Sequence, residues 1–372
     1  MHILIACDKF KGSLSAMEVA HHLRDSLQTV FPGATYDICP IADGGEGTTE
    51  AMVGAMGADW HEARVVDAQH RPIKAHYAIV HKTHQAVMEM SAASGLHRVT
   101  DIPLRPCTAS TLGTGQMMAQ AVNQGAQSIL IGIGGSATND AGLGVAVALG
   151  YRFLRQDNVV QPTLETLLEV DKILPPTKPW LIPVQVACDV DNPLLGPRGC
   201  TRVYGPQKGV QDFAWFEQRL EHLTFLVKRD LGKDFKVVPG AGAAGGLGFG
   251  LMTFANAQLV PGFELIAQHM QLAQRIQNSD IVFTGEGRMD AQSLQGKGPI
   301  GVARLCQRLH KPIIGVVGSF EKSTALDDVF DLLIAIKPEA MDLADAMKRT
   351  PELIRVAINE QREILVRIST EL

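Results

Sequence analysis

The sequence lacks several features that would point to particular classes of protein. Its 34 Lys and Arg residues and 39 Asp and Glu residues give a formal charge of -5 without a block of like charge, so neither a nucleic-acid surface nor a membrane surface is indicated. No window offers about 18 uninterrupted apolar residues for a transmembrane helix. The first apolar run is too short for a signal peptide. We therefore expect a soluble, cytoplasmic protein that acts on small molecules.

Metal and redox motifs are also missing. The six cysteines lie far apart, and no pair has the C-x-x-C spacing of a zinc site or a redox pair. The twelve histidines show neither H-x-x-x-H nor H-E-x-x-H spacing, so we do not expect them to bind a metal ion. Ser13 and Ser136 have no histidine nearby in the sequence, which leaves a hydrolase triad without support.

Two nucleotide-binding signatures are absent and a third is weak. The sequence contains neither a P-loop nor the protein-kinase signature set. Gly132, Gly134 and Ala137 do satisfy the G-x-G-x-x-A dinucleotide fingerprint, and Asp157 follows about 20 residues later. Because the loop continues through further polar residues and Asp157 lies in a polar segment, the NAD-dependent oxidoreductase that this pattern indicates is kept only as an alternative.

Alternating strand-like and helix-like segments are present at both ends of the chain. The run "ILIA" (3–6) precedes a segment of helical spacing in which Ser15 and Glu18 fit a capping box. Near the C-terminus, "DIVFTGEG", "KPIIGVVGS" and "DLLIAIKP" repeat this alternation. Between about residues 58 and 90, three closely spaced strand-like runs leave no room for helices, which predicts an antiparallel meander.

These patterns predict an α/β fold with two domains, for which 372 residues and 46% hydrophobic content are sufficient. The simplest topology is a Rossmann-like parallel-sheet domain built from both termini (1–57 plus 263–372), with a second α/β domain (58–262) inserted. We expect the active site in the cleft between the two domains.

Charged and polar side chains follow five of the predicted strands, where parallel sheets collect ligands. One such loop alone is more often a turn or a helix cap, but five at five strand ends favour a shared site. The groups are Asp8, Lys9, Lys11 and Ser13; Asp43 and Glu46; Ser136, Thr138, Asn139 and Asp140; Asp189, Asp191 and Asn192; and Thr284, Glu286, Arg288 and Asp290.

The mixture of residue types in these loops is the one that phosphoryl transfer requires. Glycines allow backbone N–H groups to approach an anion, and a helix N-terminus adds about half a positive charge. Lysine and arginine neutralise the transferred negative charge, while carboxylates bind Mg²⁺ or accept a proton.

Seven motifs in order resemble those of the class I bacterial glycerate kinases: "DKFKGSLSA", "IADGGEGT", "GIGGSATNDAG", "ACDVDNPLLG", "YGPQKG", "PGAGAAGGLG" and "TGEGRMDAQSLQGKGPIGVA". The resemblance spans essentially the whole chain. It implies a discontinuous Rossmann-like domain with an inserted α/β domain, and transfer of the ATP γ-phosphoryl group to D-glycerate, typically at position 2. Cys7 and Lys9 replace the Pro and Ser usual in the first motif, so Lys9 adds a charge there.

The resemblance and the residue chemistry together suggest roles for individual side chains. Asp189 is the candidate base and Asp191 the candidate Mg²⁺ ligand, although these two roles could be exchanged. Lys11, helped by Arg288 or Lys208, is the candidate cation on the transferred phosphoryl group. For the nucleotide phosphates the candidates are Gly134, Gly135, Ser136, Thr138, Asn139 and Lys208. For glycerate they are Asp8, Ser13, Asp43, Glu286 and Asp290, of which the last three could instead bind Mg²⁺.

Several points stay open at the level of the sequence. Arg71, Arg98 and Arg105 are possible partners of the glycerate carboxylate, with no motif to choose among them. The expected partners are D-glycerate and ATP, with Mg²⁺ as cofactor, and the protein could be a monomer or a homodimer. The alternatives are a kinase for another small hydroxy acid, the oxidoreductase noted above and, more distantly, a ligand-binding regulator.

Overall fold

A computed structural model describes residues 1–42, 45, 47–289, 298–321, 326 and 328–370. The chain divides into two compact units. The first, here called the terminal unit, comprises Met1–Asp43, Glu50–Met56 and Phe263–Leu372. The second, the central unit, comprises Gly44–Thr49 and Gly57–Gly262.

The terminal unit contains a five-stranded parallel sheet built from both ends of the chain. Its strand order is β16-β14-β12-β1-β2, with strands β1 (His2–Cys7), β2 (Thr35–Ile38), β12 (Ile281–Gly285), β14 (Ile313–Val317) and β16 (Leu332–Ala335). The register places Ile3 opposite Ile281 and Cys7 opposite Gly285. Strands from residues near 1 and near 280 are therefore neighbours in one core.

Helices cover this sheet, and two short strands, β13 (Arg288–Met289) and β15 (Ser319–Phe320), pair beside it. Helix α1 begins with the predicted capping box: Ser15 N donates to Glu18 Oε2 at 2.8 Å, and Glu18 N donates to Ser15 Oγ at 3.3 Å. The helices are α1 (Ala16–Val30), α2 (Thr48–Met56, from residue 50), α9 (Gly262–His269, from residue 263), α10 (Leu272–Asn278), α11 (Gly298–Arg308), α12 (Leu343–Lys348), α13 (Thr350–Glu360) and α14 (Arg362–Thr370).

The central unit contains a mixed six-stranded sheet. The predicted meander is confirmed, because β3 pairs antiparallel with β4 and β4 with β5, whereas β6, β10 and β11 continue the sheet in parallel. The order is β11-β10-β6-β5-β4-β3, with strands β3 (Ala58–Val66), β4 (Pro72–Val80), β5 (Gln85–Glu89), β6 (Ser128–Gly132), β10 (Val184–Ala187) and β11 (Gln258–Val260).

The helices of the central unit are α3 (Ser91–Ser94), α4 (Leu112–Asn123), α5 (Leu143–Ala148), α6 (Cys200–Tyr204), α7 (Phe213–Leu231) and α8 (Ala243–Phe254). Three single-turn 3-10 helices span Leu96–Val99, Leu167–Glu169 and Pro206–Lys208. Buried apolar residues from both sheet and helices, such as Ile131, Val186 and Leu247, form the core. The predicted α/β class with parallel sheets is confirmed.

A three-stranded antiparallel sheet, order β8-β7-β9, was not indicated by the sequence pattern. Its strands β7 (Arg152–Arg155), β8 (Asn158–Val160) and β9 (Lys172–Leu174) are too short to show an alternation. Gln156 and Asp157, with φ of 47° and 66°, form the hairpin turn between β7 and β8. Asp157 is therefore a turn residue, which removes the acidic member of the dinucleotide fingerprint.

Among the described residues, no helix has both the length and the apolar character needed to cross a membrane.

Candidate functional site

The chain reverses direction across the terminal-unit sheet between β1 and β12. From β1 it moves to β2 on one side, and after returning at β12 it continues to β14 and β16 on the other. Ligands of open α/β sheets bind outside the carboxyl ends of the strands at such a switch point. The loops that follow β1 and β12 are the ones in which the sequence predicted Asp8, Lys11, Ser13, Glu286 and Arg288.

Main-chain hydrogen bonds join these strand-end loops to one another. Asp8 N donates to Gly285 O at 2.8 Å, Gly318 N to Glu286 O at 3.0 Å, and Lys337 N to Gly318 O at 3.0 Å. A Cβ at Gly318 would lie 2.1 Å from Gly287 O, so only glycine permits this approach. The loops after β1, β12, β14 and β16 therefore form one connected edge.

A pocket of about 640 Å³ lies along this edge, entirely within the terminal unit. That volume falls within the range of small-molecule sites. Four cationic side chains and two acidic ones line it, so the charge of the lining favours an anionic ligand. These charged residues are Lys9, Lys11, Arg288 and Lys337, with Asp8 and Glu286.

The cationic side chains of this pocket differ in the hydrogen bonds and ion pairs that they already make. Arg288 Nη2 donates to Glu321 Oε1 at 2.6 Å, an ion pair in which both side chains are mostly exposed. Lys11 is exposed and pairs with no carboxylate in the described part of the chain. Among the described residues, Lys337 Nζ meets only the carbonyl oxygens of Pro338 and Glu339, at 3.3 and 3.5 Å. Lys11 and Lys337 can therefore bind an anion without first breaking an ion pair.

Ser13 has a structural role in this pocket. Its hydroxyl lies 2.6 Å from Met347 O, to which it donates, and 2.7 Å from Thr350 Oγ1. These contacts fasten the turn after β1 to the junction of α12 and α13. Ser13 could therefore donate to a substrate only by giving up its bond to Met347 O, although its oxygen could still accept. Asp8 Oδ1 accepts from Lys9 N at 2.6 Å.

The second candidate site is the glycine loop that follows β6 in the central unit. Gly134 is half-buried and Gly135 exposed with φ of 73°, whereas Ser136, Thr138 and Asn139 are buried. The predicted phosphate ligands thus divide into two accessible glycines and three polar residues that face the interior.

Lys208 lies beneath this loop and is almost completely buried, with 1% of its side chain exposed. Its Nζ donates to Ser136 Oγ and to Thr138 O, both at 2.6 Å. Burial lowers the pKa of Lys208 to about 8, although nearby Cys200 and Asp140 act in the opposite direction. As placed, Lys208 supports the loop from behind.

Asp140 is the second buried ionisable group of this loop. Its Oδ2 accepts from Thr111 N at 2.8 Å, from Thr111 Oγ1 at 2.9 Å and from Gly144 N at 3.1 Å. Burial raises the pKa of Asp140, while the donors from Thr111 and Gly144 lower it. Asp140 therefore ties the loop to the first turns of α4 and α5.

A second glycine segment, at the start of α8, packs directly on this loop. Ala244, Gly245 and Gly246 are all left-handed, and Gly245 O accepts from Ala141 N at 3.1 Å. A Cβ at Gly245 would lie 1.9 Å from Thr138 O. The left-handed conformation costs the two glycines little, but it strains Ala244, and such strain at a non-glycine residue is often found at functional sites.

Two polar side-chain atoms of the loop are buried without a hydrogen bond to any described residue. Thr138 Oγ1 and Asn139 Oδ1 are buried and find no hydrogen bond among the described residues, although Asn139 Nδ2 donates to Thr201 Oγ1 at 2.9 Å. A buried polar atom without a hydrogen bond destabilises the folded protein unless a ligand or a water molecule supplies the missing partner. These atoms support a ligand site at this loop.

The two carboxylates after β10 have different surroundings. Asp189 is half-buried, and its Oδ1 accepts from Gly262 N at 2.7 Å. Asp191 is exposed, and both of its oxygens accept from Arg198 Nη2 at 2.8 Å. This guanidinium holds the pKa of Asp191 below its usual range. Asn192 bonds to Arg198 O and Tyr204 OH and so holds the turn.

Asp191 meets Arg198 with both carboxylate oxygens, so Mg²⁺ binding there would compete with this exposed ion pair. Within the described ranges, no group of three or more His, Cys, Asp or Glu residues could hold a metal ion. Mg²⁺ bound with a nucleotide needs only one or two carboxylates besides the phosphates. Of the other candidates for such a contact, Glu286 lines the terminal-unit pocket, whereas Asp43 and Asp290 lie outside the described residues.

The three arginines considered for the glycerate carboxylate are not equivalent. Arg71 is fully engaged, because it bonds to Asp67, to Asp101 and to Arg98 O at 2.6 to 2.7 Å. Arg98 is half-buried, and its Nε has no hydrogen-bond partner among the described residues. Arg105 is exposed. Arg71 is thereby excluded as a ready anion ligand.

Sequence reasoning missed the pocket residues contributed by β16, α12 and α13. Lys337 follows the last strand directly, so the strand-end rule that found Lys11 could have found it. Leu343, Ala346 and Met347 also line the pocket, but in the sequence they look like any amphipathic helix. Only the packing of α12 at the strand ends reveals them.

Comparisons with known proteins agree with the motif resemblance. Residues 3–365 match the sequence model of the glycerate kinase family. The chain is 41% identical over 351 residues to the glycerate 2-kinase of Escherichia coli (strain K12), covering 90% of this chain and 91% of that protein. It is 39% identical to the glycerate kinase of Bacillus subtilis (strain 168), covering 95% and 94%. A crystal structure assigned as glycerate kinase 2 from Salmonella typhimurium LT2 matches with a TM-score of 0.89 and 36% identity over all of both chains.

Proposed function

Because the chain belongs to the glycerate kinase family and is therefore a kinase that phosphorylates glycerate, we propose that it transfers the γ-phosphoryl group of MgATP to the 2-hydroxyl of D-glycerate. The products are 2-phosphoglycerate and ADP. The observation that carries the proposal is the family match over residues 3–365. The cation-rich pocket at the switch point of the terminal-unit sheet supports it further. A cytoplasmic location is part of the same proposal.

Asp189 is the proposed general base. It accepts the proton of the attacking hydroxyl, and Gly262 N, 2.7 Å from its Oδ1, fixes the orientation of the carboxylate. A positioned base contributes about 10²- to 10⁴-fold to the rate. Half-burial keeps bulk water from solvating this carboxylate fully, which supports a role in proton transfer.

Lys11 and Arg288 are proposed to stabilise the negative charge on the transferred phosphoryl group. Phosphoryl transfer depends mainly on positioning and electrostatic stabilisation. Among the described residues, Lys11 has no carboxylate partner to displace, whereas Arg288 would have to share its guanidinium with Glu321. We therefore assign the larger contribution to Lys11.

The loop containing Gly134, Gly135, Ser136, Thr138 and Asn139 is proposed to bind nucleotide phosphates. The buried, unsatisfied Thr138 Oγ1 and Asn139 Oδ1 support a ligand there. The predicted direct contact from Lys208 becomes, in this proposal, support of the loop from below through Ser136. Asp8, Glu286 and the predicted Asp43 and Asp290 stay candidates for the glycerate hydroxyls.

When bound with the nucleotide, Mg²⁺ would supply positive charge that neutralises the phosphates. Asp191 stays a predicted ligand only on condition that Arg198 releases it.

The experiment that tests the proposed function is a coupled assay of ADP release from MgATP with and without D-glycerate. Release that depends on D-glycerate supports the proposal, and release with lactate or glycolate but not with D-glycerate would favour a kinase for another hydroxy acid.

A further inference from the structure

The terminal-unit pocket is larger and more apolar on one side than glycerate requires. Glycerate is a three-carbon acid with a polar group on every carbon, so an apolar wall offers it little. Yet Phe10, Ile336, Leu343, Ala346, Met347 and Leu353 all line the pocket. A purine ring, in contrast, is recognised mainly by apolar contact with a few polar groups.

The polar and apolar sides of the pocket are separate parts of the structure. The apolar side comes largely from α12 and α13, which carry Leu343 to Leu353, whereas the cations follow β1, β12 and β16. The turn after β1 contributes to both: Phe10 is 3% exposed and belongs to the wall, and Lys11 is exposed at the cationic side. A ligand with an apolar end and an anionic end matches this division.

Leu343 is the most informative residue of the wall. It is 61% exposed, so an apolar part of a ligand in the pocket could remove its side chain from water, which would favour binding. It lies at the first residue of α12, directly after the N-cap Asp342, whose Oδ2 accepts from Ala344 N at 3.0 Å. The capped helix therefore fixes the backbone of Leu343, while its side chain stays exposed.

On this basis we propose that the apolar side of the terminal-unit pocket binds the adenosine part of ATP, with Lys337 and Lys11 at its phosphate end. The inference rests on the proposed function, to which it adds the nucleoside site for which the sequence suggested no residues. Lys337 is suited to the phosphate end because, within the described part of the chain, its Nζ has only long contacts, at 3.3 and 3.5 Å, to two carbonyl oxygens.

The test uses Leu343→Gln, which removes the apolar contact without adding charge. Its matched control is Val356→Gln, since Val356 is 40% exposed on α13 and does not line the pocket. Calorimetric titrations with ADP and with inorganic pyrophosphate separate the two ends of the ligand. Steady-state KM values for ATP and D-glycerate accompany them.

For Leu343→Gln we expect the Kd of ADP and the KM for ATP to rise about fivefold, as the loss of a partly buried leucine contact implies. Pyrophosphate binding, the KM for D-glycerate and every constant of Val356→Gln should stay within about twofold of the unmodified protein. Lys337→Ala should weaken the binding of ADP and of pyrophosphate by the same factor. The inference is overturned if Leu343→Gln changes only the KM for D-glycerate, if it raises the Kd of ADP and of pyrophosphate by the same factor, or if it changes none of these constants.

The two proposals fail in different ways. If the unmodified protein releases no ADP in the presence of D-glycerate, the proposed function is wrong, whereas the ADP and pyrophosphate titrations still decide whether the pocket recognises a nucleoside. If glycerate-dependent turnover is normal but ADP binds no more tightly than pyrophosphate, the nucleoside site is wrong and the proposed function stands.

Discussion

Lys11 and Lys208 were both predicted to meet phosphate, yet their surroundings are opposite. Lys11 is exposed at the switch point of the terminal-unit sheet. Lys208 is 1% exposed in the central unit and bonds to Ser136 and Thr138 of the glycine loop. Lys11 can bind a ligand directly, whereas Lys208 is held by hydrogen bonds to the protein itself.

The same contrast extends to the loops around them. The terminal-unit loops present charged side chains to a pocket of about 640 Å³. The glycine loop of the central unit is instead tied down by buried Asp140 and packed against Gly245. We conclude that substitutions of the exposed charged side chains in the first region should change turnover without changing stability, whereas substitutions in the second region should change both.

The largest expected effect is that of Asp189→Asn. If Asp189 is the base, kcat should fall about a thousandfold, within the range for loss of general-base catalysis. The amide keeps the size of the side chain and can still accept from Gly262 N through its oxygen. Steady-state kinetics with D-glycerate and MgATP measure this change, and a kcat near that of the unmodified protein would show that another group accepts the proton.

Lys11→Ala should reduce kcat about a hundredfold, since it removes a cation from the transferred charge. The urea midpoint should not move, because Lys11 makes no ion pair in the described part of the chain. Lys348→Ala, on the exposed side of α12 and outside the pocket, is the matched control. An effect confined to the KM for D-glycerate would instead place Lys11 at the acceptor.

Lys208→Met should lower the free energy of unfolding by about 2 kcal/mol at pH 7, because Ser136 Oγ and Thr138 O lose their donor inside the protein. The KM for ATP should rise at the same time. Urea denaturation measures the first effect. Unchanged stability would mean that the glycine loop does not depend on Lys208, and the contrast between the two lysines would be lost.

The loss of stability in Lys208→Met should depend on pH in one definite direction. Burial lowers the pKa of Lys208 from 10.5 to about 8 in the folded chain. Between these values the unfolded chain retains a proton that the folded chain has released, so the contribution of Lys208 to stability rises from pH 8 to pH 10.5 and is lost as the pH falls through 8. The deficit of Lys208→Met relative to the unmodified protein should therefore grow between pH 7 and pH 10, and a constant deficit would contradict the assignment.

The smallest effect is expected from Asp191→Asn. Its ion pair with Arg198 joins side chains that are 71% and 68% exposed, and such pairs contribute little to stability. Because Arg198 occupies the carboxylate, the dependence of the rate on Mg²⁺ should change less than twofold. A tenfold rise in the Mg²⁺ concentration needed for half-maximal rate would restore Asp191 as a metal ligand.

The sequence was sufficient to predict features that depend on local pattern. The strand-end positions of Lys11 and Glu286, the Ser15 capping box and the antiparallel meander all follow from residue spacing over a few positions. Residues whose role depends on distant partners could not be predicted. Lys208 meets residues about 70 positions earlier, and "GPQKG" alone looks like an exposed turn.

Asp191 shows the same limit. Its partner Arg198 lies seven positions later, across an irregular turn held by Asn192, and no periodic pattern links the two. The sequence therefore indicated two similar carboxylates, and the three-dimensional surroundings of Asp189 and Asp191 distinguish them.

The central claim, phosphorylation of D-glycerate at its 2-hydroxyl, is tested most directly by phosphorus NMR of the product formed from MgATP and D-glycerate. We predict a new phosphate monoester signal split into a doublet by the single hydrogen on carbon 2. A triplet from the two hydrogens on carbon 3, or no new monoester signal, would contradict the account.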